Sequence, residues 1–296
     1  MSAVQLGRDA GCLSLNDIAG YRRDGYVVLR GAIGRTSVGQ CLEALSGLAS
    51  GTLDRRGASL ALEPAVADDI GPDAAISRDL QDKIRKFGDF TAASPALLRV
   101  AMSANVHRAL DQILGVGRLL FQEMALVKPP RIGSEKPWHQ DASYFRSSDP
   151  NLIVGVWIAL DPASRENGCM EFIRGSHLRG PVPHIPAADI NVCTVRPDHL
   201  RLEDRVAVPM DPGDTLIFHS LVQHYTAPNR SDMRRRALQF HYHQVGLAWT
   251  SLEAHTQQFH DETGAYCGCT IAKSSDRSGK PYEYRAPQGR PVTPMD

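Results

Sequence analysis

The sequence has 296 residues, of which 42% are hydrophobic and 22% are charged, as in an ordinary globular protein. Its 33 Lys and Arg residues balance 33 Asp and Glu residues, so the net charge gives no sign of a nucleic acid or anionic membrane as partner. The longest apolar run, residues 152–160, is too short to span a bilayer, and the first residues lack the apolar core of a signal peptide. We therefore expect a cytoplasmic protein with neither a membrane nor a nucleic-acid partner.

The first part of the chain predicts mostly helices. Ser14 and Asp17 fit the capping pattern that begins a helix, and Asp24-Gly25 fits its end. Residues 50–93 are polar and interrupted by Gly and Pro, so we interpret them as loops with some helix after Ile76. Apolar residues at three- and four-residue steps predict further helices over 37–48 and 95–114. A run of β-forming residues predicts a short buried strand over 26–29.

From about residue 119 onward, short strands separated by turns predominate. Residues 152–160 form the apolar run expected of a strand that is buried on both faces. Residues 178–204 are rich in Pro and look irregular. Further strands are predicted over 119–128, 170–173, 206–209, 214–218 and 234–243. Helices followed by many strands predict a mainly β fold, a jelly roll with N-terminal helices packed on one sheet.

No internal repeat or linker divides the chain, so we expect a single domain over 1–296. Its core should cover about 14–270, and the Gly-, Pro- and charge-rich segment 271–296 should form a loosely packed tail. Six cysteines are scattered without a C-x-x-C pair. This distribution predicts reduced thiols, and neither a zinc ribbon nor a disulfide framework.

The segment Trp138-His139-Gln140-Asp141 carries the main chemical signal. Side chains at positions i and i+2 of an extended strand point to the same face, so His139 and Asp141 should be presented together. They would supply two ligands of a site in which two histidines and one carboxylate bind iron and leave its other side open. The third ligand should be a histidine from a distant strand. His219 and His224 are both available, and spacing does not decide between them.

Four segments, in the same order, resemble the phytanoyl-CoA dioxygenase family of non-haem iron, 2-oxoglutarate-dependent oxygenases: DGYVVLRGAI, HQDASYF, NGCMEFIRGSH and HYTAPNRSDMRRRAL. The resemblance covers about residues 18–243. It implies a cupin-like double-stranded β-helix that uses Fe(II), 2-oxoglutarate and O2. It also implies that His224 is the third ligand, because the family's distal histidine lies shortly before an S/T-x-P-N sequence, as His224 does here. His219 would then lie behind the ligands.

The resemblance also implies a site for 2-oxoglutarate. The family's arginine lies eleven residues after the distal histidine, which is Arg235 here. Strand alternation places Arg235 on one face with Ala237, Gln239 and His241. A buried Arg suits the far carboxylate of 2-oxoglutarate because its fork is bidentate and permanently charged. Further candidates for lining this pocket are Gln122, Tyr144, Trp157 and Ser176.

The function implied by the resemblance is oxidation of an unactivated C–H bond in a small molecule, with hydroxylation as the default outcome. 2-Oxoglutarate would be converted to succinate and CO2. We expect a role in secondary-metabolite biosynthesis, with an acyl-CoA hydroxylase as the alternative. Two other classes stay open, namely a cupin-like metal protein that does not use 2-oxoglutarate and a non-catalytic binding protein. Arg235 discriminates between them, because only the oxygenase needs an anchor for a carboxylate.

Overall fold

The structure is a computed structural model that describes residues 11–67, 78–187, 193–269, 288–291 and 294–295. Among these residues, no helix combines the length and the apolar character that crossing a membrane requires. The helices are α1 Leu15–Asp24, α2 Arg35–Ser50, α3 Pro64–Ala67, α4 Pro95–Ala101, α5 Ala104–Leu114 and α6 Leu252–Thr256. The strands are β1 Tyr26–Leu29, β2 Ser59–Leu62, β3 Ile84–Gly88, β4 Arg118–Lys128, β5 Lys136–His139, β6 Ile153–Ala159, β7 Met170–Ile173, β8 His184–Pro186, β9 Cys193–Val195, β10 Arg205–Val208, β11 Thr215–His219, β12 His224–Thr226, β13 Arg235–Gln244 and β14 Arg290–Pro291.

Two sheets of unequal size and one separate hairpin make up the β structure. The larger sheet has eight strands in the order β1-β11-β6-β13-β4-β3-β2, with β14 also paired to β4. The smaller sheet has four strands in the order β10-β7-β12-β5, and β8 and β9 form the hairpin. All pairings between these strands are antiparallel. The predicted mainly β fold with flanking helices is confirmed.

The central strand β6 faces two different cores. Val154, Val156 and Ile158 belong to a cluster that includes apolar residues of α2, α4 and α5. Trp157 and Ala159 belong to a second cluster, which draws residues from both sheets. Every residue of β6 is buried, so the prediction of burial on both faces is confirmed. The helices therefore cover one face of the larger sheet, and the smaller sheet packs against its other face.

The first helix begins and ends where the sequence predicts. The Ser14 side chain accepts a hydrogen bond from the Asp17 amide, and the Asp17 carboxylate accepts one from the Ser14 amide. Gly25 ends the helix in the left-handed conformation, with φ of 88°, which glycine adopts without steric cost. These contacts are local, which explains why the sequence alone was sufficient to predict the helix.

The interpretation of residues 50–93 and 178–204 as loops was wrong in part. Within the first region, β2 and β3 extend the edge of the larger sheet. Within the second, β8 and β9 form the hairpin. These strands are stabilised by hydrogen bonds to a neighbouring strand, which the local sequence pattern does not reveal. Parts of both regions, residues 68–77 and 188–192, lie outside the described residues.

Most of the predicted tail, 271–296, also lies outside the described residues, although Arg290–Pro291 pairs with β4. The expectation of reduced thiols throughout was wrong. Cys193 and Cys269 form a disulfide, with their Cα atoms 5.7 Å apart. The two cysteines are 76 positions apart in the sequence, so no spacing motif points to the pair.

A glycine on β6 makes room for an aromatic ring that packs against the centre of the protein. A Cβ atom at Gly155 would lie 2.2 Å from the Phe218 ring. That ring lies 4.9 Å from the His224 ring, centroid to centroid. We expect Gly155→Ala to lower the free energy of unfolding by about 1–3 kcal/mol through overpacking, as measured by urea unfolding of the metal-free protein. Gly20→Ala in α1 is the control, because no atom beyond its chain neighbours and the backbone of its own helix lies within 4 Å of the added methyl group. Equal unfolding curves for the two variants would contradict this account.

Candidate metal centre

Three possible ligands meet where the two sheets pack together. His139 ends β5, His224 begins β12, and the two residues are directly paired across the smaller sheet. Asp141 begins the 3-10 turn that follows β5. One ligand atom from each residue lies within 4.8 Å of the other two, and all three residues are buried. Two imidazoles and one carboxylate on one side of a metal form a set that suits Fe(II).

The geometry of this segment differs slightly from the prediction. β5 ends at His139, so Asp141 does not lie in the strand. Gln140 is nevertheless extended, with φ of −108° and ψ of 129°, and this returns the Asp141 side chain to the side of His139. The chain then turns, and the Ser143 amide donates to the Gln140 carbonyl at 3.1 Å. The predicted shared face is therefore present without a continuous strand.

Backbone carbonyls orient both imidazoles. His139 Nδ1 lies 2.8 Å from the Pro137 carbonyl oxygen, and His224 Nδ1 lies 3.0 Å from that of Val222. Because a carbonyl can only accept, Nδ1 carries the hydrogen in each ring and Nε2 keeps its lone pair for a metal. Burial lowers the pKa of His224, and lowers that of His139 well below its ordinary value. Both rings are therefore neutral at pH 7, which is the form that binds a metal.

The two carboxylate oxygens of Asp141 have different surroundings. Oδ1 lies 3.3 Å from His139 Nε2 and 3.7 Å from His224 Nε2. Oδ2 lies 2.7 Å from Nε2 of His241 on β13. Burial by itself would raise the pKa of Asp141, but the facing imidazoles of His224 and His241 and the hydrogen bonds hold it well below its usual range. The carboxylate is therefore charged at neutral pH and has one oxygen directed towards the two imidazoles.

Arg235 lies inside the protein, as strand alternation predicts. It is 2% exposed, and Ala237, Gln239 and His241 on the same face of β13 are buried as well. The guanidinium carbon lies 5.4 Å from the centroid of the Trp157 ring. Nε and Nη1 have no hydrogen-bond partner among the described residues. Burial lowers the pKa of Arg235 to about 10, so it remains charged at pH 7. A buried cation with unused donors is costly, and a carboxylate ligand would relieve that cost.

Three further predicted residues lie near these groups. Gln122 pairs with His241 across β4 and β13, so the two side chains share the interior face. The Tyr144 ring is 6.0 Å from that of His139, centroid to centroid. Trp157 is fully buried beside Arg235, and its Nε1 has no partner among the described residues. Trp157 therefore belongs to the core cluster and also contacts the proposed anchor.

Two predicted residues have other contacts. The Ser176 hydroxyl accepts from the Gln223 amide at 2.8 Å, which supports the chain immediately before His224. His219 lies outside the ligand cluster. Its Nδ1 accepts from the Leu221 amide, and its ring packs against His177. The structure thus brings His224, and not His219, to His139 and Asp141.

An aromatic wall beside the metal centre has no counterpart in the sequence analysis. Phe121 packs against Phe145 and Trp249, with ring centroids 4.9 Å and 5.2 Å apart. The Phe145 ring lies 5.1 Å from that of His241. These residues come from three distant parts of the chain, so no local pattern connects them. Phe145 therefore places an apolar ring against the histidine that contacts Asp141.

Gln140, between two of the ligands, separates them from a large surface cavity. Its side chain donates to the carbonyl oxygens of Gly180 and Leu221. These two residues belong to the lining of an open cavity of about 710 Å³, in which His177 and His219 also lie. None of the three ligands lines this cavity. The cavity is therefore on the far side of Gln140 from the metal centre.

The family model for phytanoyl-CoA dioxygenase (PhyH) matches residues 21–237. The chain belongs to the phytanoyl-CoA dioxygenase family. It is 25% identical over 266 residues to a probable phytanoyl-CoA dioxygenase of Caenorhabditis elegans, covering 86% of this chain and 83% of that protein. Family membership makes it an enzyme of the iron- and 2-oxoglutarate-dependent dioxygenases, and the His-Asp-His cluster fits that class.

Two solved structures share the fold of this family member. One is the epimerase SnoN from nogalamycin biosynthesis, in complex with Fe3+, alpha ketoglutarate and nogalamycin RO. It has a TM-score of 0.61 and 22% identity, with 92% of this chain and 96% of that chain covered. The other is EctD from S. alaskensis with 2-oxoglutarate and 5-hydroxyectoine. It has a TM-score of 0.59 and 23% identity, with 81% and 79% covered.

Removing the imidazole that contacts Asp141 should weaken metal binding. We expect His241→Phe to lower the affinity of the metal-free protein for Co(II) about 10–100-fold, because the Asp141 carboxylate loses its closest partner. Calorimetric titration measures this affinity directly. His243→Phe is the matched control, since His243 is a buried histidine on the same face of β13 and makes no contact with Asp141. Equal affinities in the two variants would refute the role given to His241.

Acid should destabilise the fold through His184. Its Nε2 accepts from the Gln140 amide at 3.1 Å, and its Nδ1 donates to the Val182 carbonyl oxygen. Burial lowers the pKa of His184 from 6.5 to about 3. The unfolded chain therefore binds a proton between about pH 6.5 and 3 that the folded chain does not, and stability falls as the pH falls through that window. We expect His184→Gln to lose less free energy of unfolding than the wild type between pH 7 and pH 5. Urea unfolding of both metal-free proteins tests this, and parallel losses would count against it.

Proposed function

We propose that this protein hydroxylates an unactivated C–H bond of a small molecule, using Fe(II), 2-oxoglutarate and O2. Its two sheets would form a cupin-like double-stranded β-helix, or jelly roll, within a single domain over 1–296 whose core covers about 14–270. His139, Asp141 and His224 would hold the iron. The observation that carries the proposal is the buried Arg235, whose Nε and Nη1 have no partner among the described residues. Arg235 shares the interior face of β13 with His241, the histidine that contacts Asp141.

The protein's part in the reaction is to bind and orient. When bound, iron and 2-oxoglutarate supply the oxidising chemistry with O2. His139 and His224 present Nε2 in fixed positions, because their Nδ1–H groups donate to backbone carbonyls. Asp141 presents one oxygen while His241 holds the other. No side chain has to act as a general acid or base, so the neutral imidazoles of the ligands do not need to supply a proton.

Arg235 would bind the far carboxylate of 2-oxoglutarate through its planar fork. Trp157 keeps the guanidinium in place from one side. Gln122 and Tyr144 would line the same pocket, because Gln122 faces the interior opposite His241 and Tyr144 lies against His139. Ser176 stays a weaker candidate for this pocket, because its hydroxyl already accepts from the chain before His224.

A role in secondary-metabolite biosynthesis is the favoured physiological setting. The likeness in fold to SnoN, crystallised with nogalamycin RO, supports it. The aromatic wall of Phe121, Phe145 and Trp249 suits the apolar body of such a molecule. Hydroxylation of an acyl-CoA thioester is the second candidate, and the names of the matching relatives favour it. Incubation with each class, followed by a search for the mass gain of one oxygen atom, distinguishes the two.

Arg235 also decides between oxygenase and other classes. A cupin-like metal protein that ignores 2-oxoglutarate, or a non-catalytic binding protein, has no need of a buried cation beside the metal centre. The direct assay is release of succinate when Fe(II), ascorbate and 2-oxoglutarate are supplied to the protein. Binding of stoichiometric iron without any succinate release would favour these other classes.

Removing the guanidinium should affect the cosubstrate and not the metal. We expect Arg235→Met to raise the dissociation constant for 2-oxoglutarate about 100-fold, because breaking a buried charge pair costs about 3 kcal/mol or more. Calorimetric titration of the Co(II)-loaded protein measures it, and Co(II) affinity should be unchanged. Arg234→Met is the control, because Arg234 is the preceding residue and pairs with Asp82 near the surface. Unchanged 2-oxoglutarate binding in Arg235→Met would remove the main support for the oxygenase.

A further inference from the structure

A half-buried lysine three positions before His139 lies opposite an interior residue of β12 because of an irregularity in β5. His139 pairs with His224, and Lys136 pairs with Thr226. Three residue steps in β5 therefore match two steps in β12, which is a β-bulge. Regular pairing would place Pro137 opposite Thr226 and direct Lys136 away from the His139 face.

The bulge changes the direction of the lysine side chain. Thr226 is 6% exposed and shares the interior face of β12 with His224. Directly paired residues lie on the same face of a sheet, so Lys136 is on the ligand side. Trp138, between Lys136 and His139, points to the other side and stacks on Tyr225 at 5.2 Å. Bulges often redirect a side chain next to an active site.

The Lys136 ammonium lies against Tyr144. Nζ is 2.7 Å from the Tyr144 hydroxyl oxygen and 4.6 Å from the centroid of its ring. Tyr144 in turn lies against His139 and against the aromatic wall formed by Phe121, Phe145 and Trp249.

Lys136 lacks the partners that other cations on the strands of the two sheets have. Lys128 Nζ donates to the carbonyl oxygens of Ser134, Thr226 and Ala227. Arg205 pairs with Glu171, and Arg236 pairs with Asp161. Within the described ranges, no carboxylate lies within ion-pair distance of Lys136, and the Tyr144 hydroxyl is the one hydrogen-bond acceptor of its Nζ. A lysine ammonium has three donors, so two are left for a ligand.

We propose that Lys136 and Tyr144 form a subsite for a carboxylate or phosphate group of the substrate, beside the metal centre and next to the 2-oxoglutarate pocket that Tyr144 would also border. The inference rests on the proposed function, in which Arg235 already accounts for the far carboxylate of 2-oxoglutarate. Lys136 donates to the anion. The Tyr144 hydroxyl, which accepts from Lys136 and lies 3.5 Å from Cys193 Sγ, turns its hydrogen from that sulfur to the same group. The substrate is therefore a small acidic molecule whose apolar part packs on the aromatic wall.

A pair of fluorinated probes that differ in charge tests the subsite without knowledge of the substrate. Trifluoroacetate carries a carboxylate, and trifluoroacetamide is its neutral counterpart of similar size. With Mn(II) and 2-oxoglutarate bound, the paramagnetic metal increases the 19F relaxation rate of whichever probe binds nearby. We expect the wild type to relax trifluoroacetate about tenfold more than trifluoroacetamide, the factor that a charge-assisted hydrogen bond contributes. Equal relaxation of the two probes by the wild type would overturn the proposal.

Variants locate the effect. Lys136→Met should abolish the preference for trifluoroacetate, Tyr144→Phe should reduce it, and Lys136→Arg should keep most of it because the charge remains. Lys83→Met is the control and should leave the preference unchanged. Lys83 directly precedes β3, which is separated from β13 by β4 in the larger sheet. Urea unfolding curves that match the wild type show that each variant is folded. A Lys136→Met protein that keeps the full preference for the anion would refute the assignment.

The cosubstrate is a second possible source of the anion, and calorimetry distinguishes it. If Lys136→Met weakens 2-oxoglutarate binding tenfold or more, the lysine belongs to the cosubstrate site and the proposal fails. Unchanged 2-oxoglutarate binding together with loss of the trifluoroacetate preference supports it. A wild-type protein that binds metal but not 2-oxoglutarate would refute the proposed function instead. The probe measurement with Mn(II) alone would then still decide whether Lys136 and Tyr144 bind an anion.

Discussion

The hydrogen bond between His241 and Asp141 is the contact on which the metal centre depends. His241 lies on the larger sheet, and Asp141 lies two residues after the end of β5 in the smaller sheet. The other oxygen of Asp141 faces His139 and His224 of the smaller sheet, where a metal would join the three groups. Without these partners, burial would favour the protonated acid, which is a poor ligand. The packing of the two sheets therefore sets the charge of the carboxylate as well as its position.

The interior between the sheets contains charges that the surrounding apolar clusters would otherwise exclude. Arg235 lies beside Trp157, and Lys136 lies beside Tyr144. Each has donors without a protein partner in the described part of the chain. The unused donors of the buried Arg235 are costly in a scaffold and useful in a binding site, and those of the half-buried Lys136 are open to a ligand. The N-terminal helices cover the opposite face of the larger sheet, so they stabilise the site without contributing a ligand.

Two segments, β9 and the one that ends at Cys269, also make hydrogen bonds to the ligand-bearing segment 138–143. The Cys269 amide donates to the carbonyl oxygen of Ser143 at 2.9 Å, two residues after Asp141. The disulfide joins Cys269 to Cys193, in the strand β9. Thr194 in that strand donates to the Trp138 carbonyl oxygen, just before His139. The ligand-bearing segment is therefore held on its outer side by β9, which lies in the region expected to be irregular, and by the segment that ends at Cys269.

The sequence by itself determined the features that depend on short-range rules. Caps and periodicity defined the helix after Ser14, the doubly buried strand β6 and the inward face of β13 that contains Arg235. The resemblance to a family added the choice of His224. Only the tertiary structure decided the His241–Asp141 contact, the pairing of Cys193 with Cys269 and the bulge that turns Lys136 inward. The reason is physical: a cap or a period is set by neighbours within a few residues. Strand register and contacts across about 100 positions depend on how whole sheets pack.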